Sequence, residues 1–270
     1  MLLQKMKSFK KIVLSVFACT LLNTSNSMAS GEAVVVLFGD SVTAGLLVGV
    51  YEVQIANGRT DGLPTVELDK LLNQSAPKRP TALSNWGHGG SSSGINDDNG
   101  SGSSSGTYRI SSVLNTVAAT EPGSPKIVLI IYGTNDFDYG ISAADTGFNT
   151  SVLISKSRIS GYIPIIGTLT PRSDRSVVSY NSAIQVAAAE SGAKLVDHYT
   201  VFTTYPNGGA SALLQDNEID PRTNLPVRKH PNTTGYRIIA ETWFNSSLRS
   251  MIPVSSSSFG GAIQLLLEDD

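Results

Sequence analysis

The 270-residue chain has one cysteine, three histidines and two tryptophans, and only 16% of its residues are charged. The cysteine, Cys19, lies in an apolar stretch near the N-terminus, so disulfides and thiolate metal ligands cannot hold the rest of the fold. The histidines and the scattered acids show no ligand spacing such as H-E-x-x-H, and neither a metal nor a cofactor is expected. No stable membrane insertion is expected either. The N-terminal run Ile12 to Leu22 has eleven residues, short of the ~20 that span a bilayer. An excess of positive charge is also missing. The formal charge is −2 and becomes −6 once residues 1–29, with four lysines and no acid, are removed. Nucleic acid and anionic membrane surfaces are therefore poor partners.

Those first residues read as a secretory signal peptide. Lys5, Lys7, Lys10 and Lys11 precede the apolar run, and Ser27-Met28-Ala29 offers a small-x-small cleavage site. Residues 1–29 are therefore expected to be removed, giving an exported protein, periplasmic or extracellular. A lipobox at Val16 to Cys19 is the weaker reading, because seven uncharged residues separate Lys11 from Cys19 and Leu21 and Leu22 follow. Residues 30–250 fit one medium-sized domain, expected as a monomer. Residues 251–270 are Ser/Gly-rich, then carry an apolar pentapeptide and three acids, and read as a disordered tail.

Apolar runs rich in β-branched residues recur at 33–38, 81–86, 126–132, 162–168 and 194–197. Helical patterns at 62–73, 107–119, 142–159, 176–191 and 233–249 alternate with them, which implies βαβ units and a parallel sheet. In the last pattern Ile238, Ile239, Trp243, Phe244 and Leu248 keep helical spacing and form a core face. Residues 89–106 are Gly, Ser, Asn and Asp almost throughout. They predict a flexible loop that packs no core.

The chemistry concentrates at strand ends, where open α/β sheets place their sites. Gly39-Asp40-Ser41-Val42 follows the first run and Gly133-Thr134-Asn135-Asp136 the third. A serine hydroxyl is a weak nucleophile that needs a base and donors for the oxyanion formed on a carbonyl. His230, in His230-Pro231-Asn232, stands on a loop at a helix start and can reach the strand ends. Taken alone, Gly-Asp-Ser is common turn chemistry. Asn135 and Asp136 alone are a turn pair, with Asp136 supporting the loop. His88 reads as a surface-loop histidine rather than a cleft residue, and His198 as a cap on the sheet. Two G-x-S-x-G matches, Gly90 to Gly94 and Gly102 to Gly106, fall inside one Gly/Ser tract and lack the context of a nucleophile elbow. Gly39 to Gly45 lacks the lysine of a phosphate loop.

Four blocks in order resemble the SGNH, or GDSL, hydrolase family: Gly39-Asp40-Ser41-Val42, Asn85-Trp86-Gly87-His88-Gly89-Gly90, Gly133-Thr134-Asn135-Asp136 and His230-Pro231-Asn232. The resemblance covers residues 33–249. It implies a three-layer α/β/α sandwich on a five-stranded parallel, flavodoxin-like sheet, and a serine esterase or lipase without a cofactor. Ser41 would be the nucleophile, His230 the base, and Ser41 N–H, Gly90 N–H and the Asn135 amide the oxyanion donors. The substrate would be a small-molecule, lipid or glycan ester, with short acyl or acetyl groups favoured.

One position departs from the family pattern. An aspartate is usual three residues before the histidine, and Val227 stands there. Asp216, Asp220 or Asp197 could supply the acid, a backbone carbonyl could hold the ring, or the pair could work as a dyad. The substitution also motivates a second reading, a binding protein that keeps the fold and has lost turnover.

Overall fold

The computed structural model describes residues 32–45, 63–94, 104–220 and 223–255. The signal peptide, residues 95–103 of the Gly/Ser loop and the tail from 256 lie outside the described residues. The five apolar runs form five strands, β1 (Ala33–Gly39), β2 (Thr81–Gly87), β3 (Lys126–Ile131), β4 (Ile163–Gly167) and β5 (Lys194–Val196). All neighbouring pairs are parallel, in the order β2-β1-β3-β4-β5. Continuous Val and Ile suit a strand covered on both faces, and no residue of Ala33 to Phe38 is more than 2% exposed.

The helices are α1 (Ser41–Ala44), α2 (Leu63–Asp69), α3 (Gly106–Thr120), α4 (Ala143–Ile159), α5 (Val178–Glu190), α6 (His198–Thr203) and α7 (Thr233–Trp243). The connection through α2 runs from β1 to one side, and those through α3, α4 and α5 run to the other. Right-handed crossovers then put α2 on the opposite face from α3, α4 and α5. The contacts agree: α3, α4 and α5 pack side by side, and α2 packs on α7. This is the expected three-layer flavodoxin-like arrangement. The strand order reverses at β1 and β3, so a crevice opens beyond their carboxyl ends.

On α7, Ile239 and Trp243 are buried as the helical spacing predicts, Leu248 just beyond it is buried, and Ile238 and Phe244 are partly covered. Tyr236 and Ala240 complete the face. Truncating Trp243 to alanine would cost about 3–5 kcal/mol by the usual cavity penalty. Residues Met251 to Ser255 stay with the domain rather than joining the tail. Ile252 is buried, and Ser255 N–H donates to Lys78 O at 2.9 Å.

His198 does not cap the sheet. Asp197 caps α6, accepting from Thr200 N–H at 3.0 Å, and the His198 ring turns inward, edge-on to Trp243 at 4.6 Å. Burial pushes this imidazole down to about 3, so it stays neutral.

Candidate active site

Ser41 opens α1 directly after β1. Asp40 caps that turn. Its carboxylate accepts from Val42 N–H at 3.0 Å and from Thr134 N–H at 3.1 Å, tying the end of β1 to the loop after β3. Full burial pushes the Asp40 carboxyl up, and the Val42 and Thr134 donors pull it back toward the charged form. On the other side, Asn85 locks α1 against β2. Its amide donates to Thr43 O at 2.8 Å, and its oxygen accepts from Gly87 N–H at 2.9 Å. A Cβ at Gly87 would stand 2.2 Å from Ala44 N, so only glycine lets α1 settle this close.

The second block ends in a turn. Ser91 N–H donates to His88 O at 3.3 Å, and Gly90 occupies the third position with φ +74°. Positive φ there is the type II geometry that favours glycine, and the turn fixes the direction of the Gly89–Gly90 peptide. Tyr139 O–H donates to Gly90 O at 2.6 Å and holds the next peptide as well. Asn135 donates one amide hydrogen to Ser91 O at 3.0 Å. A primary amide carries two, so the side chain is anchored and keeps a second N–H for a ligand.

Composition predicts a loop at 89–106 that packs nothing, and its described start contradicts this. Ser91, Ser92 and Ser93 are each at most 1% exposed. Asp136 anchors the last of the three, and Ser91 meets the Tyr132 hydroxyl. The Asp136 carboxylate accepts from Ser93 N–H at 2.7 Å, from the Ser93 hydroxyl, and from Thr146 O–H at 2.6 Å. Small serines at a buried carboxylate satisfy both partners, so polarity here means a buried network rather than a solvated loop. Asp136 supports the loop as the sequence suggests, and burial pushes its carboxyl up against the pull of Ser93 and Thr146. Ser92, the serine of the first G-x-S-x-G match, is buried and donates to Gly94 O at 2.9 Å.

His230 comes from the opposite side. Asn232 caps α7, accepting from Gly235 N–H at 2.9 Å, and Pro231 bridges to Leu214. The ring then reaches Ser41, with His230 Nε2 2.7 Å from Ser41 Oγ. Ser41 is 4% exposed and Asn135 equally so. The structure thus brings Ser41 and His230 into hydrogen-bond contact, with Gly90 and Asn135 on the neighbouring strand ends. His88 is half-buried and continues the sheet ladder, its N–H donating to Gly39 O at 2.9 Å.

None of the three aspartates considered from sequence meets the imidazole. Asp197 caps α6, Asp216 pairs with Arg228 at 2.6 Å, and Asp220 lies 3.8 Å from Lys229 Nζ. The carboxylate that meets the ring is that of Glu218, on a two-stranded hairpin of β6 (Glu218–Ile219) and β7 (Pro226–Val227). Glu218 Oε1 is 2.7 Å from His230 Nδ1, and Oε2 accepts from Lys229 N–H and His230 N–H at 3.2 Å each. His230 and these backbone donors hold the Glu218 carboxyl below its usual range, against the effect of burial, the largest single influence. An ionised acceptor at Nδ1 fixes the tautomer: Nδ1 carries the hydrogen and Nε2 is left to accept from the Ser41 hydroxyl.

The loop after β4 touches both sides. The buried Arg172 guanidinium donates to Thr134 O at 2.6 Å and pairs with Asp138 and Asp174. Ser173 N–H donates to Arg228 O at 3.0 Å, and Arg228 N–H to the Ser173 hydroxyl at 2.8 Å. A cleft of about 690 Å³ beside the hairpin is lined by Arg172, Leu214, Ile219 and Arg228, and neither Ser41 nor His230 borders it.

Comparison with known proteins agrees with this fold. Among solved structures, a lipase/acylhydrolase from Enterococcus faecalis matches with TM-score 0.57 and 21% identity, covering 83% of this chain and all of that one. A psychrotrophic esterase from Pseudoalteromonas matches with TM-score 0.54 and 19% identity, covering 80% and 97%. An acetyl xylan esterase from Geobacillus stearothermophilus matches with TM-score 0.51 and 16% identity, covering 84% and 98%. At these identities the likeness is one of fold. A search of curated proteins gave no match. The sequence model of the GDSL-like lipase/acylhydrolase family matches residues 37–238, from the end of β1 into α7, and the chain belongs to that family.

Proposed function

We propose that the protein is an exported serine esterase that hydrolyses carboxylic esters through an acyl-enzyme, with short acyl or acetyl esters as preferred substrates. The observation that carries this reading is the 2.7 Å contact between His230 Nε2 and Ser41 Oγ, with the ring oriented so that Nε2 is the acceptor. Ser41 Oγ attacks the ester carbonyl as its proton passes to Nε2. The carbonyl electrons move onto the oxygen, which Ser41 N–H, Gly90 N–H and the Asn135 amide receive. Collapse of this intermediate expels the alkoxide, which takes the proton from Nε2. Water, giving a proton to the same nitrogen, then attacks the acyl carbon, and collapse releases the acid as Ser41 Oγ leaves and takes that proton back from Nε2. Each oxyanion donor typically contributes on the order of 2.7–4 kcal/mol to the transition state.

The valine at 227 is the ground for the competing view of a binding protein without turnover. The contact of Glu218 with Nδ1 supports catalysis over that view. Export rests on the N-terminal basic and apolar segments. An acetyl xylan esterase among the structural neighbours makes acetylated glycans a reasonable first class to assay, beside acyl esters of rising chain length. The test is labelling of Ser41 by a fluorophosphonate, together with release of alcohol from a short-chain aryl ester. A folded protein that neither labels nor hydrolyses any ester of such a panel would overturn the reading.

A further inference from the structure

β6 and β7 pair antiparallel, with Glu218 directly opposite Val227 and Ile219 opposite Pro226. Residues facing each other across such a ladder project from the same side, with Cβ atoms about 4.5–5.5 Å apart. Burial follows the alternation: Glu218 and Val227 are buried, Ile219 and Pro226 exposed. The inner side of this one rung therefore holds a carboxylate from β6 and an isopropyl group from β7. It faces the backbone of Lys229 and His230, whose N–H groups the carboxylate accepts.

We propose that Glu218 is the positioning acid of the site, and that the acid's seat belongs to the rung rather than to one position. A carboxylate can serve His230 from 218 on β6 or from 227 on β7, and in this chain it serves from 218. The inference rests on the reading of Ser41 as nucleophile and His230 as base. Glu218 stays ionised throughout. It accepts the Nδ1 hydrogen, keeps the tautomer that leaves Nε2 free, and faces the imidazolium formed when Nε2 takes the Ser41 proton. It takes no proton itself. Among the described residues, Asp40 feels the imidazole charge, and the neighbouring Lys229 and Arg228 are paired with Asp220 and Asp216.

The experiment compares wild type, Glu218→Gln, Glu218→Ala, Glu218→Ala with Val227→Asp, and Glu218→Ala with Val227→Asn. Each is assayed for kcat, KM and the pH profile of kcat/KM on a short-chain aryl ester, and thermal melting reports folding. Glu218→Gln keeps the shape of the side chain and should lose about 10³–10⁴-fold in kcat with KM nearly unchanged. The acid limb of its pH profile should move to lower pH, because the imidazolium has lost its counter-charge, a change that a purely structural role would not produce. Val227→Asp in the Glu218→Ala background should regain about tenfold or more and return the acid limb, whereas Val227→Asn should not. Glu218→Gln within threefold of wild type overturns the proposal, as does a folded Glu218→Ala/Val227→Asp protein no faster than Glu218→Ala. If wild type is active and Ser41→Ala is dead while Glu218→Gln is unchanged, only this inference falls. If wild type neither labels nor turns over, the esterase reading falls first.

Discussion

The two halves of the site are built differently. The oxyanion half uses the ends of β1, β2 and β3, where every group sits within four residues of a strand and the buried carboxylates of Asp40 and Asp136 brace the loops. The base half lies beyond β5, where among the described residues α6, a hairpin of two residues per strand and α7 are joined by irregular chain. There, His230 is placed by a helix cap and by an acid twelve positions earlier. Sheet ends give a rigid frame with little local freedom, whereas the base half depends on one ladder rung and one cap. A catalytic unit can thus combine a part fixed by the fold with a part fixed by a few pairings.

The comparison can be broken most severely at the point where the halves meet. Ser41→Ala and His230→Ala should each lower hydrolysis of an aryl ester by about 10⁶-fold. The double variant should be no slower than either single one, which steady-state rates at high enzyme concentration will show. If the losses add, the halves do not act as one unit. On the oxyanion half alone, Asn135→Ala should cost about 10²–10³-fold in kcat. Its pH profile should keep the wild-type shape, in contrast to the shift expected for Glu218→Gln.

Stability against pH should separate the halves by sign. Glu218 is held below the ordinary glutamate value of 4.5. Its contribution is complete above that value and is lost as pH falls through the lowered one. The gap between wild type and Glu218→Gln in denaturant midpoints should therefore close on acidification. Asp136 is pushed above 3.8, so its contribution is complete below that value and is lost as pH rises through the raised one. Asp136→Asn should therefore gain on wild type as pH rises. The smallest effect should come from Tyr139→Phe, which removes the hydroxyl donated to Gly90 O. One neutral hydrogen bond is worth roughly 1 kcal/mol, so kcat should fall about fivefold with little change in KM.

The same contrast explains what could be read from sequence. All five strands were legible as apolar segments, most clearly the continuous runs of β1 and β3, and the flavodoxin-like sheet was implied by the family resemblance. Ser41, Gly90, Asn135 and His230 were legible because each adjoins a strand end or a helix start. Glu218 was not, since two-residue strands carry no periodicity and their register is decided only when the chain is folded. The signal that was present is chemical: a glutamate can orient an imidazole as well as an aspartate can, and Glu218 lies between Asp216 and Asp220. Ser91 to Ser93 were misread for a related reason. Composition assigns a Gly/Ser tract to solvent, whereas in the fold Ser93 serves the buried Asp136 carboxylate, Ser91 meets Tyr132 and Ser92 closes on Gly94 O.

Arg172 and Ser173 give the two halves a common abutment. One residue grips the carbonyl of Thr134 beside the amide donor, and the next is zipped to Arg228 two residues before the base. The span from Asn135 to His230 is thereby set by a single stretch of chain that touches neither reacting atom. Lengthening that stretch would widen the gap between donor and base while leaving every group in the machinery intact.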